Sequence, residues 1–224
     1  MPLARLVPLL AAGLLSLGGS PARGCESYFV LVWAYQNKPN LPRDTHSFAT
    51  FVKVTRPPGE PAQIEHHTLS WLPVSMEVRA LRPRPEPGHN LTLGETLDVA
   101  REQGLQLSLF GPYEIKESLY ERSVRQMEKL HSGRIRYKAL DAGYPTTRVS
   151  NCVHAVSDLV YWPPRLRVST PAWGESASYR IVLHLRRYLI DPKVTHDWLI
   201  DALGLGDCPV LRRHYGQFWL WFPR

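Results

Sequence analysis

The sequence has little cysteine, three residues in 224. None forms a CxxC pair and no HExxH occurs, so a zinc site of ordinary ligand spacing has no support. No apolar run reaches the roughly 18 residues that a membrane span needs, and an integral membrane helix is therefore not expected. No segment of about 20–50 residues repeats, which excludes a solenoid. Negative charge is short as well: 20 acids stand against 27 Lys and Arg, for a net charge of +7. The basic residues are scattered rather than striped, so no nucleic-acid partner is expected. What is present is a chain 44% hydrophobic, with 15 glycines and 20 prolines. That suits one loop-rich domain long enough to bury a real core.

The start of the chain has the pattern of an export signal. Arg5 supplies positive charge, residues 6–17 are apolar apart from Pro8, Gly13 and Ser16, and Ala22-Arg23-Gly24 places small residues at −3 and −1 of a cleavage site. The expectation is a signal peptide over 1–24 and a single α+β domain over 25–224, periplasmic or extracellular. Loss of Arg5 and Arg23 lowers the net charge from +7 to +5. A mildly basic exported domain favours anionic partners such as cell-wall or lipid material. Cys25 would lead the mature chain. Arg23 at −2 suits a lipoprotein signal poorly, so soluble export is preferred to lipid anchoring at Cys25. Export permits a disulfide, and the odd cysteine count leaves one thiol over. Of the three pairings, only Cys25–Cys208 leaves Cys152 free.

Patterning sketches the elements. Residues 27–35 (SYFVLVWAY), 47–55 (SFATFVKVT) and 64–71 (IEHHTLSW) read as strands, the last two forming a hairpin around Pro57-Pro58-Gly59. Residues 82–87 (RPRPEP) read as stiff loop. Residues 92–103 read as a short helix, with Thr92 and Glu95 spaced as a capping box. Residues 105–110 alternate like a strand ended by Gly111-Pro112. Residues 115–131 are the clearest helix, with Gly133 as its stop. Residues 135–140 form another strand, and a loop over 141–150 leads to a helix opening near Asn151. Residues 161–174 are loop. Two further helices are predicted over 176–190 and 195–203, followed by an aromatic tail at 218–222. Strands early and helices late give α+β: an antiparallel sheet packed against helices, with a core over about 28–159 and a helical C-terminal extension over about 175–224.

The sharpest local feature is residues 150–156 (SNCVHAV). Cys152 sits where a polar loop turns into a helix. The first helical turn offers unpaired N–H groups and positive potential, which lower a thiol's pKa. A thiolate nucleophile also needs a base within reach. His154 is two residues on, roughly 200° around a helix, and points elsewhere. The best partner is His46 in residues 44–48 (DTHSF), at the entrance of a strand.

A strand-borne histidine, an antiparallel sheet and then Asn-Cys opening a helix resemble the circularly permuted papain-like superfamily, which includes NlpC-like and lecithin-retinol-acyltransferase-like cysteine enzymes. The resemblance covers roughly residues 28–159. It implies Cys152 as nucleophile, His46 as general base and acyl-thioester chemistry on an amide or ester, with no cofactor. The whole chain also resembles a group of exported bacterial proteins of no assigned activity. In such enzymes a third residue on a neighbouring strand orients the imidazole. A hairpin whose partner numbers sum to about 117 puts Trp71 opposite His46 and Ser70 beside it, and His67 on the same face four residues back. Ser70 is preferred. Asn151, or the backbone N–H groups at the helix start, would hold the oxyanion. The rival expectation is a non-catalytic exported domain that binds a partner on the same fold. A weaker one is an enzyme using His154 and Asp158, which share a helix face. Adjacent His66 and His67 point to opposite faces of a strand and do not make a metal pair.

Overall fold

The computed structural model describes residues 25–38, 41–160, 165–166 and 173–216. The expected signal peptide, most of the loop over 161–174 and the aromatic tail lie outside the described residues. The chain is a mixed α+β fold built from strands β1 (Cys25–Gln36), β2 (His46–Arg56), β3 (Gln63–Leu69), β4 (Trp71–Pro73), β5 (Glu86–Asn90), β6 (Gln106–Ile115), β7 (Arg136–Tyr137), β8 (Val149–Ser150) and β9 (Val210–Arg213). The helices are α1 (Leu93–Glu102), α2 (Glu117–His131), α3 (Cys152–Ser157), α4 (Glu175–Leu185) and α5 (Trp198–Ala202). The main sheet has the order β3-β2-β1-β6-β9, antiparallel except for the β6–β9 edge. A smaller sheet has the order β4-β5-β7-β8.

Both faces of the main sheet are covered, which is why β1 is apolar at almost every position rather than alternating. Its even residues Tyr28, Val30 and Val32 join the core formed with α2, α3 and α4. Its odd residues Phe29, Leu31, Trp33 and Tyr35 join the core formed with α1 and α5. The opening of α1 follows the expected capping box: Thr92 Oγ1 accepts from the Glu95 N–H, and Glu95 accepts from the Thr92 N–H.

Several expected boundaries move. Gly111-Pro112 does not end β6; the strand passes through a bulge, so Phe110 and Tyr113 both reach the first core. Gly111 has φ +91°, and an added Cβ would lie 2.9 Å from the Val30 carbonyl, so only glycine fits. Residues 86–90, partly expected as loop, pair with β4 as a strand. The C-terminal extension carries helices α4 and α5, and it packs into the body. Helix α4 buries Ala177, Ile181, Val182 and Leu185 in the first core, and β9 joins the main sheet.

In the smaller sheet Gly88 pairs with Pro73, and an added methyl there would overlap the Trp71 indole. Gly88→Ala is expected to destabilise by about 3 kcal/mol. Gly94→Ala, in α1 where an added Cβ meets nothing within 4 Å, is expected to be neutral or stabilising by about 0.5 kcal/mol. Urea midpoints check both; equal midpoints for the two variants would contradict the packing described.

Candidate functional site

The ladder between β2 and β3 runs from Thr55↔Gln63 to Ala49↔Leu69. Partner numbers sum to 118, not about 117. One residue of register exchanges the faces of a strand. His67 therefore lies opposite Phe51, in the layer facing α2, where it stacks on Phe51 at 5.6 Å and Nε2 lies 2.8 Å from Ser123 Oγ. The expectation that His67 shares the face of His46 is corrected: His46 lies on the other side, stacked on Phe48 at 5.4 Å and 5.1 Å from the Tyr35 ring.

Beyond Ala49 the edge of β2 is free of β3, and a cavity of about 40 Å³ opens there. Thr45, just before β2, and His46 and Ser47 at its start line it, with Asn151, Cys152 and Val153 from the start of α3. Tyr137, Leu140, Val78 and Trp173 make its walls mostly apolar. The space holds about one water or one small functional group.

His46 is 1% exposed. Its Nε2 lies 2.8 Å from Ser70 Oγ, just past the end of β3. Ser70 is placed by Asn90, whose Oδ1 accepts from the Ser70 N–H and whose Nδ2 donates to the Thr68 carbonyl. On its other side Ser70 Oγ meets Thr96 Oγ1 of α1 at 2.8 Å. His46 Nδ1 is buried with no hydrogen-bond partner among the described residues. Burial pushes the His46 pKa from 6.5 down to about 3, so the ring is neutral at physiological pH.

Cys152 is part-buried, and Cys152, Cys208 and exposed Cys25 are all free of any disulfide. The pairing of Cys25 with Cys208 is ruled out by distance. Cys25 begins β1, whereas Cys208 precedes β9, which sits beyond β6 from the Tyr35 end. The length of β1 separates them by roughly 30 Å at about 3.3 Å per residue, far beyond disulfide reach. Burial raises the Cys152 thiol pKa. The N–H groups of Ser47, Val153 and Cys152 act in the opposite direction without overcoming it, and the Asp141 carboxylate adds to the rise. The helix start therefore does not make Cys152 acidic, as its sequence position suggested. Desolvation outweighs the first-turn N–H groups here. Thiol and imidazole are both neutral at rest, and no hydrogen bond joins them.

Asn151 is the N-cap of α3, and its Oδ1 accepts from the His154 N–H at 2.8 Å. Its Nδ2 donates to the Ala139 carbonyl and to Asp141 Oδ1, both at 3.1 Å. Both amide protons are thus taken. The donors left for an oxyanion are the backbone N–H groups beside Cys152. Replacing Asn151 with alanine removes the cap and a donor to buried Asp141, and is expected to cost about 1–3 kcal/mol, read as a lower urea midpoint. An unchanged midpoint would contradict this role. His154 does not pair with Asp158. Its Nδ1 meets Asp141 at 2.7 Å and its Nε2 the Leu166 carbonyl at 2.6 Å, while Arg165 bridges Asp141 and Asp158. This cluster ties α3 to the loop after β7. Asp141, Asn90 and Thr96 carried no spacing signal in the sequence that marked them for this site.

Among the described residues no group of three or more His, Cys, Asp or Glu is placed to hold a metal, and no helix is long and apolar enough to cross a membrane. The site is defined as a thiol and a buried, polar-supported imidazole on one cavity of an α+β fold. The chain matches no protein-family model, no curated protein and no solved structure.

Proposed function

We propose that the protein is an exported cysteine hydrolase or acyltransferase of the permuted papain-like kind, acting on an amide or ester through Cys152 and His46. One observation carries the reading: Cys152 and an otherwise unpartnered, serine-supported His46 line the same cavity. Neutral His46 keeps a lone pair and takes the thiol proton as sulfur attacks the carbonyl. The sulfur and the growing oxyanion are then served by backbone N–H groups of Ser47, Cys152 and Val153, which need no reorganisation. The tetrahedral intermediate collapses as the C–N or C–O bond breaks and the amine or alcohol leaves with the proton held by His46, and the acyl group then passes from the Cys152 thioester to water or another acceptor, whose proton restores the thiol. A cavity of this size admits the reacting group while the rest of the substrate stays outside.

The second reading is a non-catalytic exported domain that binds an anionic partner through its basic surface. It is favoured by the absence of a hydrogen bond between Cys152 and His46 and by their placement. Cys152 packs on the α2–α3–α4 core, whereas His46 stacks in the opposite layer.

Iodoacetamide labelling against pH, mapped by peptide mass spectrometry, separates the two. A nucleophile must be reachable in the folded protein. Exposed Cys25 labels fastest, and Cys152 labels in the native state with an apparent pKa above the ordinary value of about 8.5. A Cys152 that labels only after unfolding would favour the binding domain.

A further inference from the structure

We propose that the groove between β7 and the loop before β8 is a phosphate-binding site built on Arg134, Arg136 and Arg148. The groove has a volume of about 620 Å³, and no Asp or Glu lines it among the described residues. It uses neither Cys152 nor His46, so it stands or falls apart from the hydrolase reading.

The fold makes the cluster out of arginines that the sequence scatters. Ile135 and Tyr137 are buried while Arg134 and Arg136 are exposed, so the two arginines share the outer face of an alternating segment. Parallel pairing of β7 with β8 brings Arg148 beside them, and the Arg136 N–H donates to the Arg148 carbonyl at 2.8 Å. Tyr137 lines the Cys152 cavity whereas its neighbour Arg136 lines the groove, so the two sites lie on opposite faces of the smaller sheet. The acids of the surrounding elements are engaged elsewhere: Glu86 meets Ser75 and Arg82, and Asp141 meets Asn151, His154 and Arg165. Three guanidinium groups gathered without an acid repel one another, and a bound anion relieves that repulsion. Arg136 is already oriented, because its Nε and Nη2 both donate to the Pro85 carbonyl at 3.3 Å and leave Nη1 for a ligand. Exposed Thr147 adds a hydroxyl donor to the same wall. A guanidinium fork pairs with carboxylate or phosphate, but a phosphate offers three or more acceptor oxygens and meets several arginines at once. The groove is far larger than one phosphate, so the group is carried on a larger molecule, either a soluble phosphoester or a lipid headgroup.

The test is titration calorimetry with tripolyphosphate at low ionic strength, with citrate as the carboxylate comparison. Tripolyphosphate is expected to bind about tenfold more tightly than citrate, and added salt to weaken it. The double variant Arg134→Gln/Arg148→Gln, at two exposed positions, should weaken it by about tenfold or more. Arg125→Gln/Lys129→Gln removes the same charge from a different cavity, beside α2, and should change the affinity by less than about twofold. Sedimentation with phosphatidylglycerol vesicles then assigns the source. Vesicle binding lost in Arg134→Gln/Arg148→Gln marks a lipid headgroup, and tripolyphosphate binding without vesicle binding marks a soluble phosphoester; either supports the site. No binding of tripolyphosphate, citrate bound equally well, or equal losses in the two double variants would overturn it, the last by showing attraction to net charge alone.

Discussion

Cys152→Ala is expected to abolish hydrolysis of an activated ester such as p-nitrophenyl acetate, and His46→Ala to reduce it by about 10²–10⁴. The two losses differ because the residues do different work. Without sulfur there is no covalent intermediate. Without the imidazole the sulfur remains, yet burial holds it as a thiol, and a buried thiol is a poor nucleophile. Rates in His46→Ala should therefore recover partly at high pH, where hydroxide ionises the thiol directly. Ser70→Ala leaves the base in place without its support, and about tenfold is expected. Cys25→Ser and Cys208→Ser, at the far end of β1 and on the other face of the sheet, should retain full rates. Full activity in Cys152→Ala would end the cysteine mechanism.

Acidification is expected to destabilise the protein strongly, with His46 as the largest single source. Its folded pKa is about 3 against an ordinary 6.5. Below pH 6.5 the unfolded chain takes up a proton that the folded imidazole refuses. The unfolded state then binds more protons, and stability falls as pH drops from about 6.5 toward about 3. At about 1.4 kcal/mol per pKa unit, the full loss is on the order of 5 kcal/mol. His67, pushed by burial to about 4, adds a smaller loss of the same sign. Urea unfolding at pH 7, 6, 5 and 4 should show this slope, and His46→Gln should flatten it whatever its stability at pH 7. An unchanged slope in His46→Gln would mean that His46 is not buried neutral.

Fold class was legible because its signals are local and redundant. The apolar run of β1, the helical spacing over 115–131 and the Thr92–Glu95 box each point to one element, and the structure has each. What failed was long-range or marginal. The bulge at Gly111 reads as a stop because the sequence does not show that Val30 approaches it. Strand β9 is four residues long and exists only because β6 offers it an edge. Residues 86–90 contain proline and glycine and become a strand by pairing with β4 and β7. At the site the same division holds. The meeting of His46 and Ser70 is present, but through a register of 118 and the break between β3 and β4. The thiol's raised pKa was hidden, because helix position is written in the sequence and desolvation is not. Asn151 was visible as a helix opener, but not as a residue whose amide is already occupied.

The central claim is that His46 activates Cys152 toward an acyl group. Its most direct test is the intermediate itself: mix the protein with p-nitrophenyl acetate, quench in acid within the first turnover, and map acetylation by peptide mass spectrometry. The account predicts an acetyl group on Cys152 in the native protein, and its loss in His46→Ala although Cys152 is still there. An adduct confined to exposed Cys25, or equal labelling of Cys152 with and without His46, would contradict it.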